Sequence, residues 1–249
     1  MYDKILKFIF KIPMSIGLIS YTRFLYFYYI RKSFKTLYPI ESSDHGMAKR
    51  NNVTALQGNT EHLKGHLFNF FSMARNKFNG QRSSLLIHPF KSLDFINFKN
   101  QKILSIGPRL ESEIFNFIKH GFLKRNITAL DIQSYSSLIS LGDMLSMPYD
   151  DDKFDITFCG WVLVYTNEIK KAVDEMIRVT KNSGYIAVGI SHKPEVKLTK
   201  ESLNNSYELI NYFKPHIKRV IFNHHAGDLT NDINQKKFFR CVLILEIKK

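Results

Sequence analysis

Short apolar runs recur along the second half of the chain, and patterns of helical period separate most of them. Four runs have the length of strands: Lys102–Ile106, Ile127–Leu130, Phe154–Phe158 and Tyr185–Ile190. Helical patterns lie at Glu111–His120, Glu168–Thr180 and Thr199–Phe213. Strands that alternate with helices form a parallel sheet covered on both faces, so we predict an α/β fold. Arg219–Asn223 and Phe238–Ile247 are predicted to close the sheet as an antiparallel pair.

Candidate binding residues stand directly after the apolar runs. In parallel sheets, ligands bind outside the carboxyl ends of the strands. Gly107 follows the first run and allows a tight turn and close approach to a ligand. The helix that begins at Glu111 would point its N-terminal amide groups at that ligand. Asp131 follows the second run, about 20 residues further on, where a carboxylate suits ribose hydroxyls.

A known family has the same order of motifs as the stretch from Gln101 to Ile190. The motifs are an acidic residue, a Pro-aromatic pair, a Phe-Asp strand, a helix with the sequence EMIRV and a glycine turn. Here they are Asp143, Pro148-Tyr149, Phe154-Asp155, Glu175–Val179 and Gly184. The stretch therefore resembles the class I S-adenosylmethionine-dependent methyltransferases. The resemblance implies a Rossmann-like, seven-stranded, mostly parallel sheet with helices on both faces, and S-adenosylmethionine as cofactor.

The resemblance also implies a set of cofactor-binding positions. They are Ser105, Gly107, Pro108, Arg109, Glu111, Asp131, Ile132, Asp143, Met144, Gly160 and Trp161. Within this set, Asp131 is expected to bind the ribose, and Asp143 and Met144 to flank the adenine. Gly107 and its neighbours are expected to hold the methionine end. No metal is expected, since this chemistry needs none.

The first motif departs from the family pattern. That pattern has an acidic residue followed by three glycines at alternating positions, whereas this chain has Ser105, Gly107, Arg109 and Glu111. In one interpretation, Arg109 pairs with the cofactor carboxylate and Glu111 or Glu113 takes its amino group. In the other, cofactor binding has been lost and the chain is a non-catalytic scaffold or binding subunit.

Two residues are candidates for the base that an oxygen or nitrogen acceptor would need. His192 follows the fifth strand, and the ordinary pKa of histidine suits proton removal near neutrality. Tyr165, after the fourth strand, is the second candidate. Trp161 is interpreted either as a packing residue or as a wall of the site.

The composition of the chain also indicates which classes of partner it could bind. The 249 residues carry a formal net charge of +14, which favours anionic partners. Nucleic acid, and with it an RNA methyltransferase, is the less favoured of these, because no separate RNA-binding module is evident. The motif arrangement also resembles bacterial methyltransferases encoded with surface-polysaccharide genes, which implies a small-molecule or glycan acceptor. Two cysteines, both in predicted strands, fit a reducing cytoplasmic setting.

The N-terminal residues 1–95 are predicted to form a helical extension or cap, and residues 96–249 the methyltransferase domain. Within the extension, Ile12–Ile30 is apolar apart from Arg23 and a few hydroxyls. Three interpretations stay open for it: a cap over the substrate cleft, attachment to an anionic membrane surface, and a membrane span. A further helix is predicted from Asn59 to about Phe78, with His62 and His66 one turn apart.

Overall fold

The computed structural model of this protein describes residues 2–12, 15–26, 82–93, 96–108, 110–132, 136–192, 203, 206–225 and 239–249. Its α-helices are α1 Tyr2–Ile9, α2 Ser15–Leu25, α3 Arg82–Ile87, α4 Glu111–His120, α5 Ile169–Val179 and α6 Ser206–Phe213. Its strands are β1 Ile103–Ile106, β2 Ile127–Asp131, β3 Ser140–Leu141, β4 Phe154–Gly160, β5 Thr180–His192, β6 Ile217–His225 and β7 Phe239–Ile247. Short 3₁₀ helices lie at His88–Ser92, Lys124–Asn126, Leu163–Tyr165 and Lys214–His216.

The strands form one sheet in the order β3-β2-β1-β4-β5-β7-β6. Strands β1 to β5 are parallel, and β7 runs antiparallel to both β5 and β6. This confirms the predicted seven-stranded, mostly parallel sheet and its antiparallel closing pair. Strand β3 has only two residues, so it had no apolar run by which the sequence could reveal it. The carboxyl ends of the five parallel strands meet at one edge, which we call the ligand edge.

Both faces of the sheet are buried, and side chains alternate between them. Along β4, Ile156 and Phe158 face one layer and Cys159 faces the other. Helices α5 and α6 cover the Cys159 side, whereas α3 and α4 cover the Phe158 side. The strands therefore carry the near-continuous apolar runs expected of a two-sided parallel sheet.

Helix α4 has the bounds that the sequence predicts. It begins at Glu111 and ends at His120, and Gly121 follows with a φ of 113°. The Gly121 N–H donates to the Ile118 carbonyl at 3.0 Å, which closes the last turn. The first turn of α4 therefore starts directly at the ligand edge.

Helices α1 and α2 pack on α4. Phe10, Ile16 and Phe24 are buried against the apolar side of α4, and the Phe10 ring stacks on Phe115 with 4.8 Å between centroids. In place of one long apolar segment, the chain turns between the two helices. Among the described residues, no helix is both long and apolar enough to cross a membrane. The division of the chain at residue 95 stays a prediction.

One local expectation differs from the structure. Residues 82–92 form α3 and the 3₁₀ helix at His88–Ser92. The α-helix stops at Ile87 because Pro89 follows one residue into the 3₁₀ turn. The turn expected at residues 182–184 lies inside β5 as an irregularity, with Ser183 at a φ of 60°. The helix predicted from residue 59, with its two histidines, lies outside the described residues.

Candidate functional site

Gly107 forms the turn after β1 and is held by two constraints. Its φ is 67°, and a Cβ built on it would lie 2.2 Å from the Val162 side chain. Its N–H donates to the Leu130 carbonyl at 2.8 Å, which ties the turn to the end of β2. A side chain would be strained and would clash, so only glycine fits here. This gives a physical reason for glycine at this position of the motif.

Asp131 lies beside that turn. It is the last residue of β2 and is half-buried, and the residue before it accepts the Gly107 hydrogen bond. The Asp131 carbonyl in turn accepts the N–H of Gly142 at 2.9 Å, which brings the end of β3 to the same place. Ile132 follows, also half-buried. The structure thus brings together the ends of β1 and β2, which the sequence predicts, and the end of β3, which it does not.

Asp143 and Met144 begin the loop between β3 and β4. Asp143 Oδ1 accepts the N–H of Leu145 at 2.9 Å, so this side chain stabilises its own turn. Met144 is buried in the core layer on the α5 side. The expectation that these two residues flank an adenine stays a prediction.

Arg178 and Glu175 of α5 hold the next part of the same loop. The Arg178 guanidinium donates to the carbonyls of Met147 at 3.0 Å and Tyr149 at 2.7 Å, and to Glu175 at 2.7 Å. Glu175 Oε2 also accepts the N–H of Met147 at 2.7 Å. The hydrogen bond from Arg178 holds the pKa of Glu175 below its usual value. The EMIRV motif is therefore a clamp on the loop that carries Asp143 to Tyr149.

Glu111 begins α4, and its carboxylate is already engaged. Its side chain is 0% exposed, and its two oxygens accept from Arg23 of α2 at 2.5 and 2.9 Å. The Ser136 hydroxyl also donates to it. This carboxylate therefore joins the N-terminal helices to the ligand edge. The expectation that Glu111 or Glu113 takes the cofactor amino group stays a prediction.

Glu113, one step along the same helical turn, faces the sheet. The buried Ser105 hydroxyl lies 3.5 Å from Glu113 Oε2. The half-buried Glu113 carboxylate also acts on Cys159: burial raises the pKa of that thiol to about 12, and the negative charge of Glu113 adds to the effect. A thiol with so high a pKa is not a nucleophile near neutrality. Glu113 thus stands between the ends of β1 and β4, where the family pattern has an acidic residue in place of Ser105.

Trp161 follows β4 in an unusual conformation. Its φ is 63°, a region that bulky residues rarely occupy. Its backbone N–H donates to the Gly189 carbonyl at 2.7 Å, and a Cβ on Gly189 would lie 2.9 Å from its ring. The ring is buried in the layer with α3. Of the two interpretations of Trp161, packing is the one that these contacts support, and a role in cofactor binding stays a prediction.

The remaining candidates lie around the same edge. Pro108 is buried next to Gly107, and Gly160 is half-buried at the end of β4. Tyr165 is half-buried in the 3₁₀ helix after β4, with its N–H donating to the Val162 carbonyl at 3.0 Å. His192 ends β5, but its side chain lies outside what the structure describes, as does Arg109. Among the described residues, no group of three or more His, Cys, Asp or Glu could hold a metal ion.

Comparisons with known proteins agree with this geometry. Residues 115–188 match the family described as methyltransferase domain, less than a third of the chain. The fold resembles the solved CurJ carbon methyltransferase with a TM-score of 0.52 and 9% identity, over 68% of this chain and 54% of that one. The fold is that of a class I methyltransferase. The family match supports a methyltransferase and begins after the turn at Gly107.

Two curated relatives share part of this methyltransferase fold. The demethylmenaquinone methyltransferase of Desulfitobacterium hafniense (strain Y51) is 41% identical over 68 residues, which are 26% of this chain and 27% of that protein. The uncharacterised methyltransferase YcgJ of Bacillus subtilis (strain 168) is 33% identical over 64 residues, 26% of this chain and 25% of that protein. The chain thus spans about a quarter of the length of the curated relatives it matches. These comparisons give no support to the resemblance to polysaccharide-associated enzymes.

Sequence reasoning missed the part played by Arg23. A signal was present, because a single arginine inside an apolar segment needs a partner when the segment packs on a core. The partner lies 88 residues away, and no local pattern could have identified it. Arg23, which interrupts the apolar segment in the sequence, forms an ion pair within the fold.

Proposed function

We propose that this chain is an S-adenosylmethionine-dependent methyltransferase whose cofactor binds at the ligand edge, over the ends of β1, β2 and β3. One observation carries the proposal: Gly107 and Asp131 lie side by side on the methyltransferase fold, joined through the hydrogen bond from Gly107 to Leu130. A turn that excludes side chains and an adjacent carboxylate suit the two ends of a nucleoside cofactor. This arrangement persists although the other motif glycines are absent.

The donor set at this edge fits that cofactor. Asp131 would bind the ribose hydroxyls, and Asp143 with Met144 would flank the adenine. Glu113 would face the amino group, since its carboxylate stands at the ends of β1 and β4. When bound, S-adenosylmethionine supplies a methyl group that is already activated on a sulfonium.

The chain's own task is then to place an acceptor in line with that methyl group and to remove a proton from it. We assign the removal of this proton to His192, the last residue of β5, or to Tyr165, in the 3₁₀ helix after β4. The acceptor that we propose is a hydroxyl or amine of a small molecule or glycan. An RNA acceptor would require an extended basic surface beside this edge, and its binding would weaken steeply with salt.

Calorimetric titration of the full chain with S-adenosylmethionine tests the proposal. We expect micromolar binding, and a loss of tenfold or more in affinity for Asp131→Ala, because the ribose hydroxyls would lose their acceptor. The matched control is Asp174→Ala, which removes an exposed carboxylate of α5 that pairs with Lys170. Absence of binding by the wild-type chain would support the scaffold alternative. Equal affinities of Asp131→Ala and Asp174→Ala would show that Asp131 does not bind the ribose.

A further inference from the structure

Helix α1 and the turn after it carry apolar side chains on two sides. One side is buried in the core, and the other is exposed. Leu6, Ile9 and Phe10 pack toward α4. Ile5, Phe8 and Ile12 point outward and are 51%, 70% and 52% exposed. We call these last three residues the outer stripe. Ile5 and Phe8 are three residues apart and share one side of α1, and Ile12 is exposed in the turn after the helix.

Helix α5 shows what an ordinary surface helix of this protein looks like. Its buried side contains Ala172, Val173 and Met176, whereas its exposed positions are Lys170, Lys171 and Asp174. Charged residues on the solvent side are what folding alone requires of such a helix. The outer stripe of α1 is thus an exception that the fold itself does not explain.

Lysines flank the outer stripe. Lys4 in α1 and Lys11 in the turn after it are exposed, and we call these two residues the lysine stripe. Lys7 is half-buried, and its Nζ lies beside Gly121 at the end of α4. Neither Lys4 nor Lys11 takes part in an ion pair within the described residues. Residues 1–12 contain a single acidic residue, Asp3, against three lysines. A partner for this surface must therefore accept apolar side chains and positive charges from the same segment.

The surface of an anionic lipid bilayer meets both requirements. Helices that lie in the membrane interface insert an apolar side at the boundary of the acyl chains and place lysines among the headgroups. Nucleic acid would use the lysine stripe but would leave the outer stripe in water. We propose that α1 docks on anionic bilayers, with the outer stripe inserted and the lysine stripe at the phosphates.

The docking surface is formed before any lipid arrives. Phe10 stacks on Phe115, and the Ser15 hydroxyl donates to the Ile9 carbonyl at 2.8 Å, which fixes the turn between α1 and α2. Because α1 is already helical and anchored, docking requires no folding step, which lowers its entropic cost. Docking would hold α4, and with it the ligand edge, at a fixed orientation to the bilayer.

Depth-dependent quenching tests the insertion directly. Phe8→Trp adds an indole to a chain whose single natural tryptophan, Trp161, is buried. Vesicles contain phosphatidylglycerol and phosphatidylcholine in equal amounts, with or without bromine on the acyl chains. We expect bromine to quench the added indole in the full chain. The matched control, Phe222→Trp on the exposed side of β6, should show no quenching beyond wild type.

Vesicle flotation then separates the two stripes. Phe8→Asp should weaken vesicle binding by about tenfold or more, because an apolar side chain no longer leaves water. Lys4→Gln and Lys11→Gln should each weaken it by about fivefold, and binding to pure phosphatidylcholine should be weak. The proposal is overturned if the Phe8→Trp indole is not quenched, or if Phe8→Asp floats as the wild type does. Salt-sensitive RNA binding that Phe8→Asp leaves intact would assign the lysine stripe to nucleic acid.

Discussion

Two arginine–glutamate pairs hold loops at the ligand edge, and they are built differently. Arg178 and Glu175 lie one turn apart on α5, with 31% and 17% of their side chains exposed, and clamp the loop between β3 and β4. Arg23 and Glu111 come from α2 and α4, and their side chains are 42% and 0% exposed. The first pair is local and lies within the residues that match the methyltransferase family, whereas Arg23 lies far outside them.

The difference shows how the N-terminal helices became part of the domain. A local pair needs only one helix to form, so both of its residues lie within one short sequence motif. A pair across the fold ties α2 to α4, because Arg23 is a cationic partner of the buried Glu111 carboxylate. The ligand edge is thus supported from the family core on one side and from the extension on the other.

Replacing Arg23 should have the largest effect on stability. Arg23→Ala removes a cationic partner of the buried Glu111 carboxylate, and we expect the free energy of unfolding to fall by about 3 kcal/mol. Urea denaturation followed by circular dichroism measures this change. The double variant Arg23→Met with Glu111→Gln removes both charges and should recover at least about 1 kcal/mol of the loss. A loss below about 1 kcal/mol for Arg23→Ala would show that the pair is not structural.

Replacing Arg178 should cost less, about 2 kcal/mol at neutral pH, because its pair is partly solvated. The carbonyls of Met147 and Tyr149 would lose their donors, and Glu175 would lose its main partner. The pKa of Glu175 is lowered in the folded state, chiefly by the Arg178 hydrogen bond, from its usual value of 4.5. The stability that this pair contributes is therefore complete above pH 4.5 and is lost as the pH falls through the lowered pKa.

The pH dependence of stability distinguishes the ion pair between Arg178 and Glu175 from the bonds that Arg178 makes to the carbonyls. The gap in unfolding free energy between wild type and Arg178→Ala should narrow as the pH falls below 4.5, measured by denaturation at a series of pH values. Arg178→Lys keeps a charge but cannot bond both carbonyls and the carboxylate. Its free energy of unfolding should therefore lie between those of wild type and Arg178→Ala. A gap that stays constant with pH would assign the effect of Arg178 to its carbonyl bonds alone.

The sequence could predict the parts of this molecule that depend on local order. The apolar runs gave six of the seven strands and the exact bounds of α4, and the motif order gave the fold. Asp131 and Gly107 could be placed together because parallel strands end at a common edge. The partner of Arg23 and the packing of Trp161 on Gly189 could not be predicted, because each depends on contacts between residues distant in the chain. Glu113 was named only beside Glu111, since both lie on one helical turn and spacing alone could not separate them.

Glu111 and Glu113 therefore test whether two carboxylates on one helical turn have separate roles, one in stability and one in cofactor binding. If Glu111 is structural and Glu113 faces the cofactor, Glu113→Gln should weaken S-adenosylmethionine binding by about tenfold, because a neutral amide no longer balances the ammonium group. Its unfolding free energy should stay within about 0.5 kcal/mol of wild type, since the half-buried side chain keeps its size and polarity. Glu111→Gln should show the reverse, with stability lost and the intrinsic affinity of the folded protein retained. Calorimetry measures the cofactor affinity of both variants, and denaturation measures their stability. An affinity loss confined to Glu111→Gln would assign the cofactor amino group to Glu111.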